Sequence, residues 1–147
     1  MGRQFILGER SKSRLSGVQA PLRRVVARAI EMTAVDFAVI EGLRTLARQQ
    51  ALYAQGRTAP GKVVTWTMNS RHLEGAAVDL APIDSAGRIL WEDTAAFDQI
   101  AKAMFAAADD VGVRIRWGAD WDQDGAPRER GEHDSPHFEL TYDAVET

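Results

Sequence analysis

The chain contains three histidines, His72, His133 and His137, and two of them stand in segments whose chemistry is unusual. The first segment is Ser70-Arg71-His72-Leu73-Glu74-Gly75-Ala76-Ala77-Val78-Asp79 and the second is Asp134-Ser135-Pro136-His137-Phe138-Glu139. A hydrolytic zinc site needs three protein ligands and a fourth position left for water, and imidazole nitrogen and carboxylate oxygen both suit that ion. His72, Asp79 and His137 supply such a set, and Asp134 supplies a carboxylate able to take a proton from an activated water. Singly, each residue also has an ordinary reading: a satisfied core histidine, or an aspartate closing a strand.

Spacing places demands on the backbone. His72 and Asp79 are separated by an odd interval, so on one unbroken strand they would face opposite ways. Gly75 allows the chain to turn between them. Pro136 rules out a regular helix between Asp134 and His137, so a tight turn before a final strand is expected there.

The elements that must carry these residues read as follows. Residues 1–17 are polar and Ser/Arg-rich and are expected to be an irregular lead-in to a domain spanning 18–147. From Val18 to Met32, Leu22, Val25, Val26, Ala29 and Ile30 recur at helical spacing, with Pro21 near the start and Arg23, Arg24 and Arg28 toward water. Phe37 to Ile40 is a short β-prone run. Thr45 to Gln55 reads as a helix that Thr45 caps. Residues 56–71 read as a loop, and Ala76 to Ala81 as a strand stopped by Pro82. A helix capped by Asp93 or Thr94 runs to about Val111, with Phe97, Ile100, Ala101, Met104, Phe105 and Ala108 as its buried stripe and Gly112 closing it. Val113 to Trp117 is strand-like, residues 118–136 form a long acidic loop, and His137 to Thr141 is a last strand. Without a βαβ rhythm, the expected fold is α+β, a small single domain in which helices pack a short antiparallel sheet carrying an open zinc site.

Composition narrows the classes. The 147 residues are 45% hydrophobic and 27% charged, as for one soluble domain, and the net charge of −3 gives no nucleic-acid signal. Residues 1–30 are basic, with Arg3, Arg10, Lys12, Arg14, Arg23, Arg24 and Arg28 against Glu9, which suits either an anionic surface or a solvated helix face. Cysteine is absent, so disulfides and thiolate chemistry are excluded. No apolar run approaches the ~20 residues of a membrane span, and the start does not read as a secretory signal.

The pattern Ser-x-His-x-x-Gly-x-Ala-x-Asp at Ser70, His72, Gly75, Ala77 and Asp79 resembles that of a group of zinc peptidases of cell-wall metabolism. An upstream Gly42-Leu43-Arg44-Thr45 and a later carboxylate-x-x-His add to the match. The group comprises D-Ala-D-Ala carboxypeptidases, D-Ala-D-Ala dipeptidases and L-alanyl-D-glutamate endopeptidases. Trp117-Gly118-Ala119-Asp120-Trp121 and His137-Phe138-Glu139-Leu140 make the chain most similar to the single-domain L-alanyl-D-glutamate peptidases used as phage endolysins. The resemblance runs from about residue 20 to 141.

It implies zinc held by His72, Asp79 and His137, with Asp134 as the catalytic carboxylate. Many relatives have Glu at the place of Asp134. It further implies that Arg44 steadies the substrate carbonyl and oxyanion, that Ser70 orients a ligand or substrate group, and that His133 touches substrate at the rim. The implied function is hydrolysis of the L-Ala–D-Glu bond of peptidoglycan stem peptides during host lysis. The protein is expected to be a monomer, made in the host cytoplasm and acting on the wall after release through the inner membrane. A D-Ala-D-Ala carboxypeptidase is the alternative enzyme, and a non-catalytic wall-binding protein the alternative of another class.

A second metal set is Asp120-Trp121-Asp122-Gln123-Asp124-Gly125, the first half of a D-x-D-x-D-G calcium loop. Its twelfth position falls on Gly131 rather than Glu. Asp120, Asp122 and Asp124 therefore read either as a weak calcium loop completed by another residue or as a plain acidic turn.

Overall fold

The computed structural model describes residues 5–44, 46–58, 72, 75–119 and 135–141. Its elements in chain order are α1 (Glu9–Leu15), α2 (Ala20–Met32), β1 (Phe37–Glu41), α3 (Leu46–Ala54), β2 (Ala77–Pro82), α4 (Thr94–Val111), β3 (Ile115–Trp117) and β4 (His137–Leu140). The strands form one antiparallel sheet in the order β1-β2-β4-β3. The α+β architecture with a short antiparallel sheet is as expected.

Strand alternation divides the sheet into two unlike faces. Phe37 and Val39 of β1, Val78 and Leu80 of β2, Phe138 and Leu140 of β4, and Ile115 and Trp117 of β3 belong to one buried core with α2 and α4. Helix α4 lies against β2 and β3, and α2 packs on α4. Every residue of the expected stripe on α2 is buried. The opposite face of the sheet carries Asp79, His137, Glu139 and Arg116.

Helix ends follow their local signals. The Asp93 side chain accepts from the Ala96 N–H at 3.0 Å, and α4 ends at Gly112 in the left-handed conformation, φ 74°. One expectation on α4 fails: Phe105 is 38% exposed, whereas Ala96, Ala103 and Ala107 are buried. At 100° per residue those alanines extend the buried arc away from Phe105, which falls beyond its other edge.

The irregular lead-in expected over residues 1–17 is also corrected, because residues 9–15 form α1. Seven residues are too few for a helix stable alone, so its stability comes from what it packs on. It lies along β1. Ser11 Oγ accepts from the Val39 N–H at 2.9 Å, and Arg14 Nη1 donates to the Val39 carbonyl at 2.9 Å. Since β1 is an edge strand, α1 occupies hydrogen-bonding groups that would otherwise invite another strand. Pro82, expected to stop β2, is its last residue, paired with Phe37 at the start of that edge strand.

The α1–α2 turn also braces the turn preceding β2. Gln19 N–H donates to the Gly75 carbonyl at 2.8 Å, and Gly75 has φ +68°. A Cβ at Gly75 would stand 2.5 Å from the Gly17 carbonyl oxygen, whereas Gly87, with φ +81°, has nothing within 4 Å. Both positions share the left-handed penalty of about 1–2 kcal/mol for a side chain. Gly87→Ala is expected to cost about that much, and Gly75→Ala clearly more. Urea midpoints of the two variants check this, and equal losses would mean that the turn yields freely.

Candidate metal centre

Three donors converge on the polar face of the sheet. The ligand atoms of His72, Asp79 and His137 lie within 4.8 Å of one another, the one such group among the described residues. Asp79 and His137 are direct cross-strand partners in the β2–β4 pair, so backbone register alone brings their side chains side by side. His72 arrives from outside the sheet. Gly75 stands between His72 and Asp79 with φ 68°, and its N–H donates to the His72 carbonyl at 3.2 Å, a turn contact just before β2. That is the solution the odd His72–Asp79 interval required.

The Asp79 Oδ1 atom is the shared corner, 3.3 Å from His72 Nε2 and 3.3 Å from His137 Nδ1. Two ligand atoms about 2.0–2.1 Å from a tetrahedral zinc are themselves about 3.3–3.4 Å apart. The two separations at Asp79 Oδ1 match the edge of a small tetrahedral ion, with all three donors within 4.8 Å, and two imidazoles with one carboxylate suit a borderline ion such as zinc. Burial opposes ionisation of the Asp79 carboxyl, but hydrogen bonds donated by His137 and His72 when their facing nitrogens carry protons outweigh it and hold the group well below the usual carboxylate range. The corner of the site is an anion at neutral pH.

Each imidazole is fixed from behind. His72 Nδ1 stands 2.7 Å from the Gly42 carbonyl, which can only accept, so Nδ1 carries the proton and the lone pair of neutral His72 is on Nε2, toward Asp79. His137 Nε2 stands 2.8 Å from Glu139 Oε1. With Nε2 donating to that carboxylate, the lone pair of neutral His137 is on Nδ1, again toward Asp79. When neutral, both rings thus present an unprotonated nitrogen to one point. They are buried, at 1% and 7% exposure, and meet edge to face with centroids 5.1 Å apart.

The supporting shell is charged. Glu139 is 4% exposed and bridges His137 to Arg116, whose Nη2 donates to Oε2 at 2.8 Å. Burial raises the Glu139 carboxyl, while His137 and Arg116 lower it by a larger sum, so its net shift is downward. Toward the β1 edge of the same face, Arg44 forms a two-pronged pair with Glu41, 2.8 Å at each contact, and donates from Nη1 to Gln49 at 2.6 Å. Its Nη2 lies 4.0 Å from Asp79 Oδ2. Glu41 reaches this place through a register irregularity in β1: Val39 pairs with Leu80, yet Glu41 rather than Ile40 pairs with Asp79. The extra residue is a β-bulge, a device that re-aims side chains beside functional sites.

Among the residues singled out from sequence, the structure brings His72, Asp79 and His137 together and sets Arg44 beside them. Thr45, Ser70, His133 and Asp134 lie outside the described residues, as do Asp120, Asp122 and Asp124 of the acidic loop. Glu139, Arg116, Glu41, Gln49 and the Gly42 carbonyl had no assigned role. For Glu139 a signal existed: two positions after His137 on a strand, it must share that residue's face. For Glu41 none did, because a bulge leaves no mark in the alternation of Phe37 to Glu41.

The same arrangement of chain and site can be compared with known proteins. Residues 3–141 match the family model described as phage L-alanyl-D-glutamate peptidase. The chain is 34% identical to the L-alanyl-D-glutamate peptidase of Escherichia phage T5, over 92% of this chain and 98% of that protein. It is 30% identical to the Bacillus subtilis peptidoglycan L-alanyl-D-glutamate endopeptidase CwlK over 72% of this chain, spanning 61% of CwlK. The crystal structure of the Serratia marcescens L-Ala D-Glu endopeptidase ChiX superposes with a TM-score of 0.74 at 36% identity, covering 94% of this chain and 92% of that one. The match begins ahead of α1 and ends just after β4, so the edge-covering helix and the strand bearing His137 fall within it. The chain belongs to the phage L-alanyl-D-glutamate peptidase family.

Proposed function

We propose that this protein is a zinc-dependent endopeptidase that cleaves the L-Ala–D-Glu bond of peptidoglycan stem peptides and serves a phage or prophage in host lysis. The observation that carries the reading is the convergence of His72 Nε2, Asp79 Oδ1 and His137 Nδ1, each imidazole with its other nitrogen already engaged. Support for the bond comes from the family and from relatives of that name in a phage and in two bacteria.

His72, Asp79 and His137 are the residues that would hold the zinc. When bound, the ion supplies Lewis acidity toward the scissile carbonyl and lowers the pKa of a water toward ~7. Asp134, three positions before His137, is assigned to take the attacking water's proton and return it to the leaving amine. Arg44 is assigned to the substrate carbonyl and the charge that develops on it. A guanidinium suits that work because it stays charged and its planar fork can be fixed by partners, here Glu41 and Gln49. Ser70 and His133 are assigned to substrate contact. The described residues contain no helix long and apolar enough to cross a membrane, and the wall is the proposed place of action.

The expected digestion products are defined. Mass spectrometry of muropeptides treated with the protein should show new termini at L-Ala and D-Glu. Products cut between two D-Ala residues instead would establish a carboxypeptidase, and intact peptides would favour a wall-binding protein. Chelation should abolish cleavage and stoichiometric zinc restore it. Asp134→Asn should retain zinc and lose a factor of ~10²–10⁴ in kcat. Loss of zinc with unchanged turnover per bound metal would make Asp134 a ligand rather than a base.

A further inference from the structure

Glu139 is a buried carboxylate with no place in the reaction as drawn. It touches the nitrogen of His137 that faces away from Asp79, so it neither joins the three converging donors nor stands where a general base would. Both its oxygens are engaged, Oε1 with His137 Nε2 and Oε2 with Arg116 Nη2, each at 2.8 Å. Sheet register builds this chain of contacts. Glu139 pairs with Arg116 of β3, and it follows His137 by two on β4, so all three side chains stand on the polar face in adjacent rows.

We propose that Glu139 and Arg116 form a positioning relay that fixes His137 and sets how tightly the metal is held. The inference rests on the metal-binding reading given above. An anionic acceptor on Nε2–H raises the basicity of the opposite nitrogen more than a neutral one does. The two histidines are therefore unequal: His72 leans on the neutral Gly42 carbonyl, and His137 on a carboxylate. Arg116 has two effects. Its charge offsets the cost of keeping Glu139 ionised at 4% exposure, and it pins the second oxygen so that the carboxylate cannot turn toward the ion. A cross-strand ion pair serving stability alone would leave metal affinity unchanged when neutralised, which separates the two roles.

Zinc affinity, read by competition with a chromophoric chelator, tests the relay in the unmodified protein, Glu139→Gln, Arg116→Gln and the double variant. Glutamine keeps an oxygen able to accept from Nε2–H and removes the charge. Glu139→Gln should weaken zinc by about 10–100-fold. Arg116→Gln should weaken it less, and the double variant no more than Glu139→Gln alone, because Arg116 acts through Glu139. Unchanged affinity in Glu139→Gln overturns the relay, as does an Arg116 effect that adds in full to it. If Glu139→Gln fails to fold, Arg116→Gln decides: its side chain is 31% exposed, and undiminished zinc affinity there is equally fatal. Failure of the unmodified protein to take up zinc would contradict the metal reading itself, an outcome distinct from tight binding indifferent to Glu139.

Discussion

Everything at the site depends on one cross-strand pairing, Asp79 opposite His137 in the antiparallel β2–β4 ladder. A slip of one residue would send His137 to the core face and Phe138 to the polar one. The core holds the register in place. Val78 pairs with Phe138 and Phe138 with Trp117, on whose ring it stacks at a centroid distance of 6.2 Å. Trp117 Nε1–H also donates to the Ser135 carbonyl at 2.7 Å, fixing the chain just before His137. The apolar face thus determines where the polar face places its donors.

Around that pairing the sheet balances buried charge in two ways. The row through Arg116 and Glu139 is a direct cross-strand pair, joined to the site through His137. The row through Glu41 and Asp79 needs the bulge in β1 to bring a carboxylate over Arg44. Buried ion pairs contribute little net stability against well-packed apolar residues of similar size. Their presence here is understandable as preorganisation, each side chain being held in one geometry by its partners. Helix α1 and the turn after it complete the frame by covering the β1 edge and bracing the turn at Gly75.

Much of this was legible in the sequence. Periodicity gave α2 and α4, Asp93 and Gly112 marked the ends of α4, and the His72-to-Asp79 interval demanded the turn that Gly75 makes. What was not legible depends on tertiary contact. Helix α1 is too short to announce itself, and its Ser11 and Arg14 meet the Val39 backbone of β1. Phe105 fits the same stripe as Phe97 and Met104 by spacing, but small alanines on the other flank draw the buried face away from it. The β1 bulge is invisible in a run of five residues. Glu139 was readable as a strand neighbour of His137, yet only the folded chain shows that it meets Nε2.

The metal reading depends on where an ion sits and which nitrogens it meets. Anomalous diffraction at the zinc edge from crystals of the zinc-loaded protein measures this directly. One peak per chain is expected at about 2 Å from His72 Nε2, an Asp79 carboxylate oxygen and His137 Nδ1. A peak bound through His137 Nε2, or one away from these three residues altogether, would contradict it.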